Sequence, residues 1–448
     1  MSTATVPLRT KLLYAVGDTA INIKNATINR FLLFFYVDVL LVAPAAVGLV
    51  LFLGKFWDAV TDPAMGYLSD TTRSRWGRRR PYVLLSAVPM GVCFYLLFAP
   101  PQLSSGGLLW YLLGINLILY TAFTVFAVPY LAWGAELTRD YHERTTVVQV
   151  RALFGILGGV IGAAAPIVIA NQFPDQRLGF AAMGLSLGAL VAVTGLVTGA
   201  GVFDRGRDRL PVASLRHFVR GLGHTFENRE FRIVFLTFCL MTVSAAMGEA
   251  VQLIVVKYWL GMYDFFPVVA LVFALCFAAS FPFWLAVSQR IGKTRALRLG
   301  LTLGCVAPLG WIVVQPGQRW AMVIFMVVAG AISGCITLAI SQAADVVDFD
   351  ELQTGEQRAG AYFGIWAFGL KTANAIGVFL GGILLGVVGY VPAVAQSPDT
   401  LWWLVMLVGP LQSLVTLGGL LVFRHINFEA DDVARIQAAL AARRAAET

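Results

Sequence analysis

Charge is scarce in this chain: of 448 residues only 13% are Asp, Glu, Lys or Arg, while 58% are hydrophobic. A mean hydropathy of +0.76 goes with that balance, and a soluble domain of this length does not reach it. Histidine is scarcer still. His142, His217, His224 and His425 all lie in loops or at a span end, and no His, Cys and acid cluster has metal-ligand spacing, which argues against a catalytic metal centre. The five cysteines, Cys93, Cys239, Cys276, Cys305 and Cys335, are odd in number and each sits in an apolar run. They read as small packing residues with no disulfide framework. Phosphate loops and nucleophile-base pairs are missing from every extramembrane segment large enough to form a site, so the chain does not read as an enzyme. Long linkers and low-complexity tails are absent too. The polar stretch from Met1 to Thr10 lacks the apolar core and cleavage site of a secretory signal, and is expected to be retained.

What is present is apolar sequence in long runs. Counting runs of about 20 residues gives twelve spans, at approximately 12-37, 44-69, 81-100, 107-136, 150-171, 178-203, 230-259, 265-288, 296-315, 320-344, 360-388 and 401-424. The formal charge of +8 is no sign of a nucleic-acid partner, because the basic residues fall in short loops between spans. Alternate loops carry them: Arg73 to Arg80, then Arg139 and Arg144, then Arg205 to Arg229, then Arg290 to Arg298. The opposite loops hold only Arg177 and Arg319 near their centres, so the positive-inside rule puts both termini in the cytoplasm, with the chain in the plasma (inner) membrane.

A basic loop divides the chain into a first six-helix bundle (1-203), a cytoplasmic linker (204-229), a second bundle (230-424) and a short amphipathic tail (425-448). The stretch Ala135-Glu136-Leu137-Thr138-Arg139-Asp140, with Glu143-Arg144 and then Arg151-Ala152-Leu153-Phe154-Gly155, is echoed by Ala344-Asp345-Val346-Val347-Asp348-Phe349-Asp350, with Glu356, Arg358 and then Ala361-Tyr362-Phe363-Gly364. Each copy follows the fourth span of its half. An all-α membrane protein of twelve helices in two pseudo-symmetric halves follows, an arrangement suited to alternating access around a central site.

The chemistry centres on Phe56-Trp57-Asp58-Ala59-Val60-Thr61-Asp62-Pro63-Ala64-Met65-Gly66. Residues four apart share a helix face about 6 Å apart along the axis, so Asp58 and Asp62 can close around one small cation, with Thr61 adding a hydroxyl. Carboxylates at membrane depth cost several kcal/mol unless paired or liganded. The plainer alternative is that both only cap the helix or pair with Lys55. In the first span Asp18, Asn22, Asn25 and Asn29 are spaced four, three and four, which puts them on one face that lines a cavity or glues helices together. Lys24 and Arg30 lie off that face, each free to snorkel, pair with an acid or attract an anionic substrate group. Lys371, mid-way along span eleven, needs a carboxylate or a polar substrate, with Asp58, Asp62 and Asp18 as the available acids. Glu249 is either a second proton-titrating group or the partner of a basic residue. Asp70, with Arg73 and Arg78 in the basic loop, suits a gate that holds one conformation closed. Arg144, Asp345, Asp348 and Arg358 of the repeated stretches are assigned to the same gating.

Five stretches carry a resemblance: Phe35-Tyr36-Val37-Asp38-Val39, Trp57 to Pro63, Thr71-Thr72-Arg73-Ser74-Arg75-Trp76-Gly77-Arg78, Ala344 to Asp348, and Gly389-Tyr390-Val391-Pro392. From Lys11 to the end of span twelve the chain resembles the glycoside-pentoside-hexuronide:cation symporters of the major facilitator superfamily, the melibiose permease-like family. The resemblance implies the two-bundle major facilitator fold and solute uptake driven by Na⁺, Li⁺ or H⁺, with no resident cofactor. It implies a cation site of Asp58, Asp62, Thr61 and Thr124, and functional roles for Lys371 and for Arg151 beside the sugar. Galactoside-binding members carry carboxylates at the positions of Asn22 and Ala127 and a stacking tryptophan at Leu131, so galactoside recognition does not carry over. Asp18, Asn22, Asn25, Tyr130, Trp133 and Trp366 are the candidates for a different solute site. The expected partners are a small solute, a coupling cation, which is Na⁺ or H⁺, and the bilayer, with the protein a monomer. The second functional reading is a cation-coupled carrier of a lysophospholipid or another amphiphilic anion, which the same superfamily and the same Trp-Asp motif also suit.

Overall fold

The computed structural model of the protein describes residues 6–138, 140–203, 225–355 and 358–426, together with 435 and 439. The expected linker, the tail beyond 426 and Arg139 therefore lie largely or wholly outside the described residues. The described chain is helical throughout: α1 (Leu8–Thr27), α2 (Pro44–Thr71), α3 (Arg80–Phe98), α4 (Ser105–Glu136), α5 (Tyr141–Ala170), α6 (Gln176–Gly201) and α7 (Arg229–Tyr258) come first. After them come α8 (Phe266–Ile291), α9 (Lys293–Val306), α10 (Arg319–Ser333), α11 (Ile336–Thr354), α12 (Ala359–Val387), α13 (Pro398–Val408) and α14 (Pro410–Phe423).

Local chemistry sets where these helices start. Pro44 and Pro410 open α2 and α14, where the missing N–H costs nothing. Ser104, Asp140 and Asp175 accept backbone N–H bonds at the starts of α4, α5 and α6. Taking α9 with its continuation to Val313, α10 with α11, and α13 with α14 as single spans, eleven of the described helices are long and apolar enough to cross a membrane. The protein is an integral, multi-pass membrane protein. The helix that falls short of that apolarity is α1, which carries Arg9, Lys11, Asp18 and Lys24, and the count of twelve rests on it. Two boundaries differ from the sequence pattern. Beyond Thr27 the first helix continues through π-helical turns at Ile28–Leu32 and Phe35–Val39, and α11 runs ten residues past the expected 344. Gly355, at φ 75°, ends α11 in the left-handed conformation that favours glycine, so Asp345 and Asp348 are helical rather than in a loop.

Contacts between Cα atoms divide the chain into two compact units. One comprises residues 1–212, 249–271 and 378–401; the other comprises 213–248, 272–377 and 402–448. Besides the boundary at 212/213, the division passes through α7, α8, α12 and α13. The second unit is built on an apolar cluster that includes Phe231, Phe238, Trp284, Leu297, Leu301, Tyr362 and Trp366. In the first, Phe35, Phe98 and Phe180 pack ring against ring.

Within the first unit α1 and α5 approach along a glycine seam. A Cβ on Gly158 would lie 2.6 Å from the Thr19 carbonyl oxygen, and one on Gly162 would lie 2.6 Å from that of Ile23. Such closeness lets the Thr19 hydroxyl donate to the Phe154 carbonyl at 3.1 Å and Thr27 to that of Gly162 at 2.9 Å. Gly159, one residue on, faces open space. Gly158→Ala is expected to force the helices apart and lower the melting temperature in detergent, a loss of about 1–3 kcal/mol. Gly159→Ala is expected to be neutral or stabilising by up to about 1 kcal/mol, since alanine is the better helix former. Thermal unfolding of the two purified variants compares them, and equal losses would contradict the seam.

Candidate functional site

Gly54 permits α2 and α4 to touch one turn before Asp58: its Cβ would fall 2.1 Å from Asn116 Nδ2, which instead donates to the Val50 carbonyl at 3.3 Å. The contact brings Thr124 of α4 against the α2 carboxylates. Its hydroxyl lies 2.8 Å from Asp58 Oδ1, 3.3 Å from Asp62 Oδ1 and 3.2 Å from the Thr61 hydroxyl. One hydroxyl has a single proton to donate, so it cannot satisfy both acids at once. Asp58 is buried while Asp62 is partly exposed. The donor set is oxygen only, which fits a hard cation such as Na⁺ and not a transition metal. Among the described residues no group of three His, Cys, Asp or Glu converges as a metal site.

The polar face of α1 does two separate things. Its first half turns to α5: Asn22 Nδ2 donates to the Asp18 carbonyl at 2.8 Å and to Asp18 Oδ2 at 3.3 Å, and Arg151 Nε stands 3.8 Å from Asp18 Oδ1. The Arg151 Nε is buried without a hydrogen-bond partner. The second half, past Thr27, turns elsewhere. Lys55 Nζ donates to Asn29 Oδ1 at 2.7 Å, Asn29 Nδ2 donates to Glu249 Oε2 at 3.3 Å, and Arg30 pairs with Glu249 Oε1 at 2.8 Å. Between the two halves Lys24 is buried, its ammonium 3.6 Å from the Phe123 ring centre and 4.0 Å from that of Tyr120, and it donates to Asn25 Oδ1 at 3.3 Å. Glu249 is thus paired with a basic residue, Arg30.

The aromatic candidates are enclosed. Tyr130 stacks with both Tyr14 and Phe126, and Tyr14 and Tyr130 exchange hydroxyl bonds to each other's carbonyls. Trp133 is 1% exposed. In the second unit Trp366 packs against Phe238 in the apolar cluster, and Lys371 lies further along the same helix, α12, in a partly buried position.

At the end of α2 the gating set is rearranged. Arg79 is the centre: it is buried, pairs with Asp70, donates to the Ser69 hydroxyl and reaches Glu136 Oε1 at 2.9 Å, while Arg78 reaches the same oxygen at 3.2 Å. Arg73 and Arg144 are exposed. Asp345 pairs with Lys293 at 2.7 Å, whereas Asp348 and Arg358 are partly buried. Sequence reasoning did not single out Arg79 or Lys293, because a run of arginines gives no sign of which one turns inward. It also left Asp38 without a role. That carboxylate accepts from Lys257, Tyr258, Tyr390 and the Ala393 N–H.

Residues 13–430 match the family model described as MFS/sugar transport protein. The chain belongs to this family. Relatives across the MFS family include the inner membrane symporter YicJ of Escherichia coli, 27% identical over 87% of this chain and 85% of its own length. The isoprimeverose transporter of Lactiplantibacillus pentosus is 27% identical over 88% and 84%. A zebrafish (Danio rerio) protein named sodium-dependent lysophosphatidylcholine symporter 1-A is 25% identical over 92% and 84%. A crystal structure of the nucleoside transporter NupG superposes with a TM-score of 0.62 at 13% identity, covering 94% of this chain and 99% of that one, which shows a shared fold. The protein is a membrane transporter of the MFS type, not an enzyme.

Arg79→Ala would leave Asp70 and Glu136 without their shared partner, and a loss of about 2–4 kcal/mol is expected, less than for a fully enclosed pair because Asp70 reaches solvent. Arg73→Ala, on the exposed side of the same loop, should stay within about 0.5 kcal/mol of the parent. Melting curves of the two variants decide between a pairing role for Arg79 and a merely basic loop.

Proposed function

We propose that the protein is a symporter that moves a glycoside, pentoside or hexuronide together with one cation, Na⁺ being favoured, by alternating access. The observation that carries this reading is the cluster of Asp58, Asp62, Thr61 and Thr124: two acids and two hydroxyls gathered at membrane depth. Relatives named as glycoside/cation symporter and isoprimeverose transporter support it. Cation binding would lower the negative charge on the acids and favour the solute-binding state, so that the loaded carrier switches more readily than one holding solute alone. Asp18, Asn22 and Arg151 would hold the solute by hydrogen bonds to hydroxyl groups. Both termini would face the cytoplasm.

A second reading, a cation-coupled carrier of a lysophospholipid, draws support from relatives named for that substrate and from the enclosed rings of Tyr130 and Trp133, which offer no stacking surface to a sugar. A thermal-shift or calorimetric screen of the purified protein separates the two, with glycosides, glucuronides and lysolipids each tested with and without Na⁺ and with Asp58→Cys as control. Stabilisation by a glycoside or glucuronide only in Na⁺, lost in the variant, is expected. A response to lysolipids alone selects the second reading, and no response to Na⁺ or to pH with any ligand overturns symport.

A further inference from the structure

The first helix, α7 and α12 are odd-numbered spans and run in the same sense, so the segments that follow them share the end of the chain's spans away from the arginine-rich loops. Towards that end two ion pairs tie the extension of the first helix to α7. Arg30 pairs with Glu249 at 2.8 Å, and Asp38 pairs with Lys257, the same step of eight residues on both elements. All four residues belong to the first compact unit. Eight residues is about two turns on either element, so the pairs stand at two levels roughly 12 Å apart along α7. The signs alternate: base then acid on the first helix, acid then base on α7. A slide of α7 by that step would set Glu249 against Asp38 or Lys257 against Arg30, so one register alone suits all four charges. Between the levels the seam is aromatic. Phe31 meets Phe266 edge-on at 5.9 Å and Phe34 stacks on Tyr263 at 5.8 Å, with Phe31, Phe34 and Phe266 fully buried. Asp38 also accepts from the hydroxyls of Tyr258, at 2.6 Å, and Tyr390 and from the Ala393 N–H at 3.2 Å, which draws the turn after α12 into the same joint. Nearer solvent, Asn171 Nδ2 donates to Asp264 Oδ1 at 2.7 Å. A joint that only held helices together would need no charges, since apolar packing of the same volume is as stable as a buried ion pair. Charges that water can take over when helices part make a joint that opens and recloses in register.

We propose that the Arg30–Glu249 and Asp38–Lys257 pairs act as one clasp, which closes this end of the first unit over the aromatic seam and parts as a whole when solute passes. The inference rests on the alternating-access reading above. It adds which bonds open and that both levels open together, because the fixed register leaves separation as the only movement that keeps like charges apart.

Hydrogen–deuterium exchange of purified full-length protein in detergent, read by mass spectrometry, tests this without a ligand. Two mild variants break the clasp from opposite levels: Glu249→Gln, at a carboxylate that already reaches solvent, and Tyr390→Phe, which removes one hydroxyl from Asp38. Each is expected to speed exchange about tenfold at both levels, residues 28–32 with 246–250 and residues 35–42 with 255–262, the factor that goes with losing about one charge-assisted hydrogen bond. Residues 155–165, in the seam between α1 and α5, should exchange as in the parent. An increase confined to the level that carries the substitution overturns the proposal, because the pairs then open separately. A rise in 155–165 as well also overturns it, since the joint is then a permanent part of the fold and not a clasp. The ligand screen described above reads symport independently. No response to Na⁺ or to pH there, with both levels opening together here, removes symport and leaves the clasp to a carrier of another kind.

Discussion

An ionised carboxylate inside an apolar helix bundle has to be met by donors from the protein itself, and the first unit is arranged around that constraint. Asp38, with no exposed side-chain surface, is the clearest case: an ammonium, two phenol hydroxyls and a backbone N–H from residues more than two hundred positions away converge on it. Glu249 is met on both oxygens, by Asn29 and Arg30, and Glu136 is shared by Arg78 and Arg79. Each of these clusters joins helices that no apolar contact would single out, because burial of hydrocarbon does not specify which partner is chosen, whereas an unmatched buried charge does. Asp58 and Asp62 differ in kind: two acids of one helix converge on a single hydroxyl, that of Thr124.

Bringing such donors into reach requires backbones closer than side chains normally permit. Glycine supplies that closeness at several crossings, among them Gly54 between α2 and α4, and Gly158 and Gly162 between α5 and α1. At those crossings hydroxyl and amide groups of one helix bond directly to carbonyls of the next, as Thr19, Thr27 and Asn116 do. Lipid is as apolar as the helix surfaces, so this short-range packing and bonding, rather than exclusion of water, holds the helices together.

Hydropathy made most of the helices legible, since a run of about 20 apolar residues has few other structures open to it in a membrane. Proline and cap residues marked several starts. The Asp58/Asp62 pair was legible for the same reason, as acids stand out in apolar sequence, and both reach the Thr124 hydroxyl from α2. What was not legible depended on register and rotation. The spacing of Asp18, Asn22, Asn25 and Asn29 implied one continuous face at 3.6 residues per turn, but the π-helical turn that begins at Ile28 widens the count, and Asn29 and Arg30 swing toward α2 and α7. Among Arg73, Arg75, Arg78, Arg79 and Arg80, no local pattern identifies Arg79 as the one that turns inward; the acids of α2 and α4 decide that in three dimensions.

That change of register gives the first helix its divided role. Up to Thr27 it packs on the glycines of α5 and presents Asp18 and Asn22 to Arg151; beyond Thr27 it presents Asn29 and Arg30 to Lys55 and Glu249. A regular α-helix would keep these groups on one line and give them one set of neighbours. With a wider turn inserted, one continuous stretch of chain touches the polar groups of α5 at one end and Lys55 and Glu249 at the other. The polarity that keeps α1 below the apolarity of the other eleven helices follows from this double duty: it carries the groups that two neighbouring sites need.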